Sequence, residues 1–289
     1  MKRKLLIFFI ILFSVSIASG SFKQKQAVIA LQSVTAHTNY TLDANCMGAW
    51  FMNGASGGDG SEDETDRSGE GQTLSVSATK LMPDSASVPA GYSGKSRDFE
   101  KGDPDYLFRA ESDTNGFDIS GANQDMSICV WVKPESTPTT NAALVIVAKS
   151  DGDDAVQYEL RLVDAADTEY FRFAISSDGT YGAGYTTAVG STDPDAGTYY
   201  HVCGVYDDDE GASENLKVYV GASKEGVGAH TAGIFNGDAQ FRIGAREHAT
   251  ELAWDGLIDE VIIFNRALSA AEVTEIFTYG ISGDKGGSD

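Results

Sequence analysis

The chain has 289 residues, with 21 lysines and arginines against 43 aspartates and glutamates, a formal net charge of −22. So acidic a surface repels nucleic acid and anionic membranes and suits solubility or cation binding. Three cysteines are too few for a disulfide scaffold, so a hydrophobic core must hold the fold together.

Lys2, Arg3 and Lys4 precede an apolar run from Leu5 to Ile17, and Ala18-Ser19-Gly20 puts small residues at a cleavage position. Residues 1–20 therefore read as a signal peptide, and the protein as secreted, extracellular or cell-surface. An uncleaved N-terminal anchor is the rival reading, although the run falls short of the roughly 20 residues that span a bilayer. Residues 21–44 read as a polar arm or linker, 45–281 as one domain and 282–289 as a flexible tail.

Met47 to Met52 is a short apolar run around Trp50, and the Gly, Ser, Asp and Glu of Gly54 to Gly71 predict a loop. From residue 99 onward strand follows strand. Asp105 to Ala110 is one. Met126 to Lys133 is apolar on both faces, as a central strand is. Ala142 to Lys149 is rich in Val and Ile. Gln157 to Val163 alternates, with Tyr158, Leu160 and Leu162 toward the core and Gln157, Glu159 and Arg161 toward water. Tyr170 to Ser176 repeats the pattern with Phe171, Phe173 and Ile175 inward. Tyr199 to Tyr206, Leu216 to Val220, Gln240 to Ile243 and Leu257 to Phe264 complete the series, separated by Asp- and Gly-rich turns. About ten strands without a long helix between them predict an all-β sandwich or barrel. One short C-terminal helix is signalled by Ser269 and Glu272 as a capping box, by the stripe Val273, Ile276 and Phe277, and by Gly280 as a stop. Cys129 and Cys203 both fall inside strand runs, where a disulfide and a buried thiol are both open.

The segment Trp254-Asp255-Gly256-Leu257-Ile258-Asp259-Glu260-Val261-Ile262-Ile263-Phe264-Asn265-Arg266-Ala267-Leu268-Ser269 closely resembles the C-terminal signature of the laminin-G-like jelly-roll family, part of the concanavalin A-like lectin/glucanase superfamily. Gly48-Ala49-Trp50-Phe51, Asp66-Arg67-Ser68-Gly69, Asp105-Tyr106-Leu107, Met126 to Val132 and Tyr200 to Asp207 follow in that family's order. The resemblance implies a two-sheet antiparallel jelly-roll sandwich that binds glycans, proteins or cell-surface material, in some members with calcium. Fold alone does not settle which.

Glycoside hydrolases of this superfamily need two carboxylates facing one sugar bond. Asp259 and Glu260 are adjacent in a strand, which predicts opposite faces, and Glu159 is spaced against Arg161 rather than a second acid. No strand-to-helix nucleophile elbow and no zinc motif occurs, and His37, His201, His230 and His248 lie far apart in sequence. No catalytic residue is assigned. Asp259 sits in an apolar run, where a bare carboxylate is costly, so it needs backbone donors, a cation or a metal. Asp259, with Asp66 and Glu260, is the candidate set for a structural calcium. Tyr92, Tyr181, Tyr185 and Tyr199 are the candidate sugar platforms, beside the alternative that each covers a sheet edge. The expectation is a secreted, non-catalytic module for a glycan or an extracellular protein. The alternative is a self-assembling subunit of a surface structure, inserting residues 21–45 into a neighbour, and glycoside hydrolysis is the third reading.

Overall fold

The alternating runs do make strands, and these assemble into two antiparallel sheets that face each other across an apolar core. The computed structural model describes residues 37–54, 61–77, 82–102, 105–110, 117–119, 124–139, 142–152, 154–165, 168–211, 213–248 and 252–285, all within one compact unit. The signal peptide, and the arm as far as residue 36, lie outside the described residues. Among the described residues no helix is long and apolar enough to cross a membrane.

In chain order the strands are β1 (Cys46–Trp50), β2 (Ser75–Val76), β3 (Asp84–Ser85), β4 (Ser96–Phe99), β5 (Leu107–Arg109), β6 (Met126–Pro134), β7 (Ala143–Lys149) and β8 (Tyr158–Asp164). There follow β9 (Glu169–Ser176), β10 (Tyr185–Val189), β11 (Tyr200–Tyr206), β12 (Leu216–Val220), β13 (Ser223–Gly228), β14 (Phe241–Ile243), β15 (Gly256–Phe264) and the helix α1 (Ala270–Tyr279). One sheet runs β13-β12-β11-β6-β15-β4-β3, with β1 also paired to β15, and the other runs β10-β9-β8-β7-β14-β5-β2. The architecture is a jelly-roll sandwich with one short C-terminal helix.

Between the sheets, Ile128, Val130 and Val132 of β6 meet the apolar sides of β8 and β9, among them Leu160, Leu162, Phe171 and Phe173. Trp50 closes one end, stacked on Phe241 at a centroid separation of 5.6 Å and tilted against Phe117 at 5.9 Å. Each such contact adds roughly 0.5–1.5 kcal/mol beyond burial itself. The reverse face of β6, β11 and β15 is apolar too, because α1 covers it. Val273 and Ile276 pack there with Cys129, Cys203, Ile262 and Phe264. Cys129 and Cys203 are direct cross-strand partners and form a disulfide, while Cys46 is a buried free thiol. The predicted capping box is present: Ser269 Oγ accepts the Glu272 amide and Glu272 Oε2 accepts the Ser269 amide.

Three expectations change. The domain begins before residue 45, since Tyr40 is buried, its amide donates to the Ile281 carbonyl at 2.8 Å and its hydroxyl donates to Glu275 of α1. The tail is packed as far as Lys285, whose amide bonds the Tyr279 carbonyl. The side of β8 holding Glu159 and Arg161, with Gln157 just before the strand, is dry rather than wet, because the 177–185 turn returns over it and its tyrosines cover the charges.

Candidate functional site

On the outer face of the eight-stranded sheet, Asp259, Trp131 and His201 are register neighbours across β15, β6 and β11. The helix covers only part of that row. Phe277 stacks on Trp131 at 5.6 Å and tilts over His201 at 5.8 Å, and Tyr92 meets Trp131 edge-on at 5.4 Å. An open cleft of about 770 Å³ remains, walled by Tyr92, Trp131, Tyr199, Tyr200, His201 and Phe277, with Val88, Ala90 and Val220 between them. Its rings are held in place. Tyr199 donates to the Ser87 carbonyl at 2.6 Å and lies 2.9 Å from Ser96 Oγ, and Tyr92 donates to the Phe277 carbonyl at 3.3 Å. Burial pushes both phenols up, and drives His201 down to about 3, so that imidazole is a neutral wall.

Two carboxyls lie beneath this cleft. The alternation rule placed Asp259 and Glu260 on opposite faces, but β15 bulges there. Its register to β6 slips between Asp259 and Ile262, and its outer edge changes partner from β4 to β1. Glu260 takes the extra position at φ 44°, in the left-handed region. Asp259 Oδ1 accepts the Glu260 amide at 2.8 Å, and Oδ2 lies 3.2 Å from Ser96 Oγ. Glu260 Oε2 accepts the Ile281 amide at 3.1 Å, leaving Oε1 buried and unpartnered. Burial raises Asp259 well above the carboxylate range, with the Glu260 charge adding to it, and burial pushes Glu260 up to about 8.

The third candidate calcium ligand stands elsewhere. Asp66 accepts from the Ala49, Ser68 and Gln72 amides and from Ser68 Oγ, at 2.8–3.0 Å. It thereby fixes Gln72, whose carbonyl takes Trp50 Nε1 at 3.0 Å. Asp259 and Glu260 alone present one unengaged oxygen, Glu260 Oε1, against the six to eight that calcium takes.

The four tyrosines form two pairs on opposite sheets. Tyr92 and Tyr199 line the cleft. Tyr181 and Tyr185 meet at 4.9 Å on the outer face of the seven-stranded sheet, over residues of β8. Tyr181 donates to Glu159 Oε1 at 2.8 Å and Tyr185 to Oε2 at 3.2 Å. Arg161 Nη2 donates to both phenols, at 3.0 and 3.2 Å, and pairs with Glu159. Arg246 Nη1 also donates to Tyr181. Sequence reasoning missed Trp131, Phe277 and Arg246 as site residues. Trp131 and Phe277 fit apolar strand and helix patterns, and only the unequal cover of α1 over its sheet distinguishes them from core.

A family model of the concanavalin A-like lectin/glucanases superfamily matches residues 110–274, more than half of the 289. The fold is similar to domain 4 of AbnA, an extracellular GH43 arabinanase of Geobacillus stearothermophilus solved with arabinotriose, at 17% identity and TM-score 0.55. That alignment covers 80% of this chain and 98% of that one. It is also similar to the binding domain of Paraclostridial Mosquitocidal Protein 1, at 12% identity and TM-score 0.57 over 81% of this chain and 52% of that one. A Trypanosoma rangeli sialidase aligns at 15% identity and TM-score 0.55, over 86% of this chain and 34% of that one. At these identities the likeness is one of fold. Comparison with curated proteins gave no match.

Proposed function

Because the chain belongs to the concanavalin A-like lectin/glucanases superfamily, we propose that it is a non-catalytic binding module that takes a short oligosaccharide in the aromatic cleft above Asp259. The fold is shared by binding modules and glycoside hydrolases, so the site must argue the case. The observation that carries the reading is the cleft wall. Tyr92, Trp131, Tyr199 and Phe277 present fixed aromatic surface to which the apolar face of a sugar ring can stack, and little side-chain entropy is left to lose on binding. About 770 Å³ lies within the roughly 300–1,000 Å³ of ordinary ligand clefts.

Hydrolysis would need two carboxyls flanking the bound glycosidic oxygen. Among the described residues that line the cleft none is acidic, and Asp259 and Glu260 lie beneath it at 3% and 2% exposure. Export fits the Cys129–Cys203 disulfide, since such bonds persist in oxidising compartments. A structural calcium at Asp259 and Glu260 is a separate proposal, for which backbone or solvent oxygens would have to supply most ligands.

The test is retention on an array of plant, microbial and animal oligosaccharides by the wild type and by Tyr92→Ala and Tyr199→Ala. Retention that falls at least tenfold in both variants, with unchanged melting temperatures, supports the cleft. Retention indifferent to both substitutions places sugar binding elsewhere, and a blank array removes the carbohydrate reading.

A further inference from the structure

Arg161 on β8 and Arg172 on β9 are direct cross-strand partners on the outer face of the seven-stranded sheet. Like charges so placed repel, and a sheet ordinarily avoids them. Arg246 joins the same group through Tyr181, and its guanidinium carbon lies 5.6 Å from that ring, as that of Arg161 does at 5.3 Å. Against three guanidinium groups the described residues set one carboxylate, Glu159, paired with Arg161 and 3.9 Å from Arg246. Arg172 makes no hydrogen bond or ion pair among the described residues, and the Nε of Arg161, Arg172 and Arg246 are each buried without an acceptor. In a chain of net charge −22, a local surplus of positive charge with unpartnered donors is the arrangement that an anion would relieve.

We propose that this face is a second ligand site, built for a sugar bearing a carboxylate, with Arg172 and Arg246 gripping the anion and Tyr181 backing the ring. A guanidinium offers a planar fork that a carboxylate fills with two parallel hydrogen bonds, which a lone hydroxyl cannot do. Tyr181 is 38% exposed, and its hydroxyl is already engaged by Glu159, Arg161 and Arg246, so its ring is a fixed platform beside the charges. Burial lowers the Arg161 pKa, and its neighbours Arg172 and Arg246 lower it further, which an incoming anion would relieve. That the anion is carried by a sugar rests on the carbohydrate reading above. The need for an anion does not.

The experiment compares a galacturonic acid trisaccharide with its methyl ester, which keeps the rings and removes the charge, by calorimetric titration at low salt. The expected result is binding of the acid at least tenfold tighter than the ester, weakening as salt rises, and lost in Arg172→Gln and Arg246→Gln but kept in Tyr92→Ala. Arg172→Lys, which keeps the charge without the fork, is expected to lose part of the affinity. Melting curves of each variant exclude unfolding as the cause. Equal binding of acid and ester overturns the anion site and leaves the aromatic cleft standing. Binding of the acid that survives both glutamine substitutions overturns the assignment to this face, and so does no binding of the acid while neutral oligosaccharides are retained on the array.

Discussion

Glu260 Oε2 accepts the backbone amide of Ile281 at 3.1 Å, tying the bulge of β15 to the turn that follows α1. The bond is made by a carboxyl that burial pushes up to about 8, and Asp259 next to it is raised as well. In the unfolded chain both would lose their protons near pH 4. Between that pH and about 8 the folded state therefore holds more protons than the unfolded one, and stability falls as pH rises across the window. The melting temperature in chelator is expected to be higher at pH 5.5 than at pH 8.5. Glu260→Gln, neutral at both, should raise the pH 8.5 value by a few degrees and flatten the slope. If calcium occupies the pair, adding it at pH 8.5 raises the wild-type midpoint and barely moves the variant. An unchanged slope in Glu260→Gln would show that the carboxyl does not titrate in this range.

The bulge also shows where the sequence stops being legible. Period two correctly gave β6, β8, β9, β11 and the apolar side of β15, and the capping box gave α1, because those signals are local. Alternation then misplaced Glu260, since a one-residue bulge reverses every face beyond it, and the bulge sits where β15 changes edge partner, a tertiary fact. Alternation likewise makes Glu159 and Arg161 wet, whereas tertiary cover buries them. The tyrosines that dry them come from a turn some twenty residues away in sequence. Of the site, the four tyrosines were visible as aromatics in or beside glycine-rich loops, but not their division between two sheets.

The Cys129–Cys203 disulfide links two central strands of one sheet under α1, across a separation of 74 residues. A cross-link closing a loop of that length is expected to contribute about 4 kcal/mol on the chain-entropy estimate. Cys129→Ala/Cys203→Ala should lower the denaturant midpoint accordingly, and added reductant should have no further effect on it. Cys46 is buried, and burial raises its thiol to about 12, so it should react with a thiol reagent only on unfolding. Fast labelling of the native protein at one thiol would mean that the β1 edge opens.

Gly204 lies at the middle of β11, where a methyl group would run into the Phe173 ring on the opposite sheet. The contact is between side chains of two sheets, so relief requires moving Phe173 in a packed core. Gly204→Ala is expected to cost about 1–3 kcal/mol, the ordinary range for overpacking. Phe173→Leu should recover part of that loss in the double variant although it is destabilising alone, a non-additivity that thermal melts of the four proteins would measure. Strict additivity would mean the sheets are not in the contact described.

Glu159 is fully buried and holds its position through Tyr181, Tyr185 and Arg161. Glu159→Gln keeps the shape and an acceptor for one of the two phenols but removes the one negative charge among three guanidinium groups. Breaking a buried ion pair from one side costs about 3–5 kcal/mol, because the remaining charge is left uncompensated. For a chain of this size roughly 2–4 °C is lost per kcal/mol, so the melting temperature should drop by about 6 °C or more. The same substitution should make the protein responsive to anions. Citrate or a uronic acid oligosaccharide is expected to raise the midpoint of Glu159→Gln by more than that of the wild type, since a ligand that binds only the folded state stabilises it. Sodium chloride at matched ionic strength separates specific binding from screening. Equal shifts in the two proteins would mean that Arg161, Arg172 and Arg246 are satisfied without an external anion.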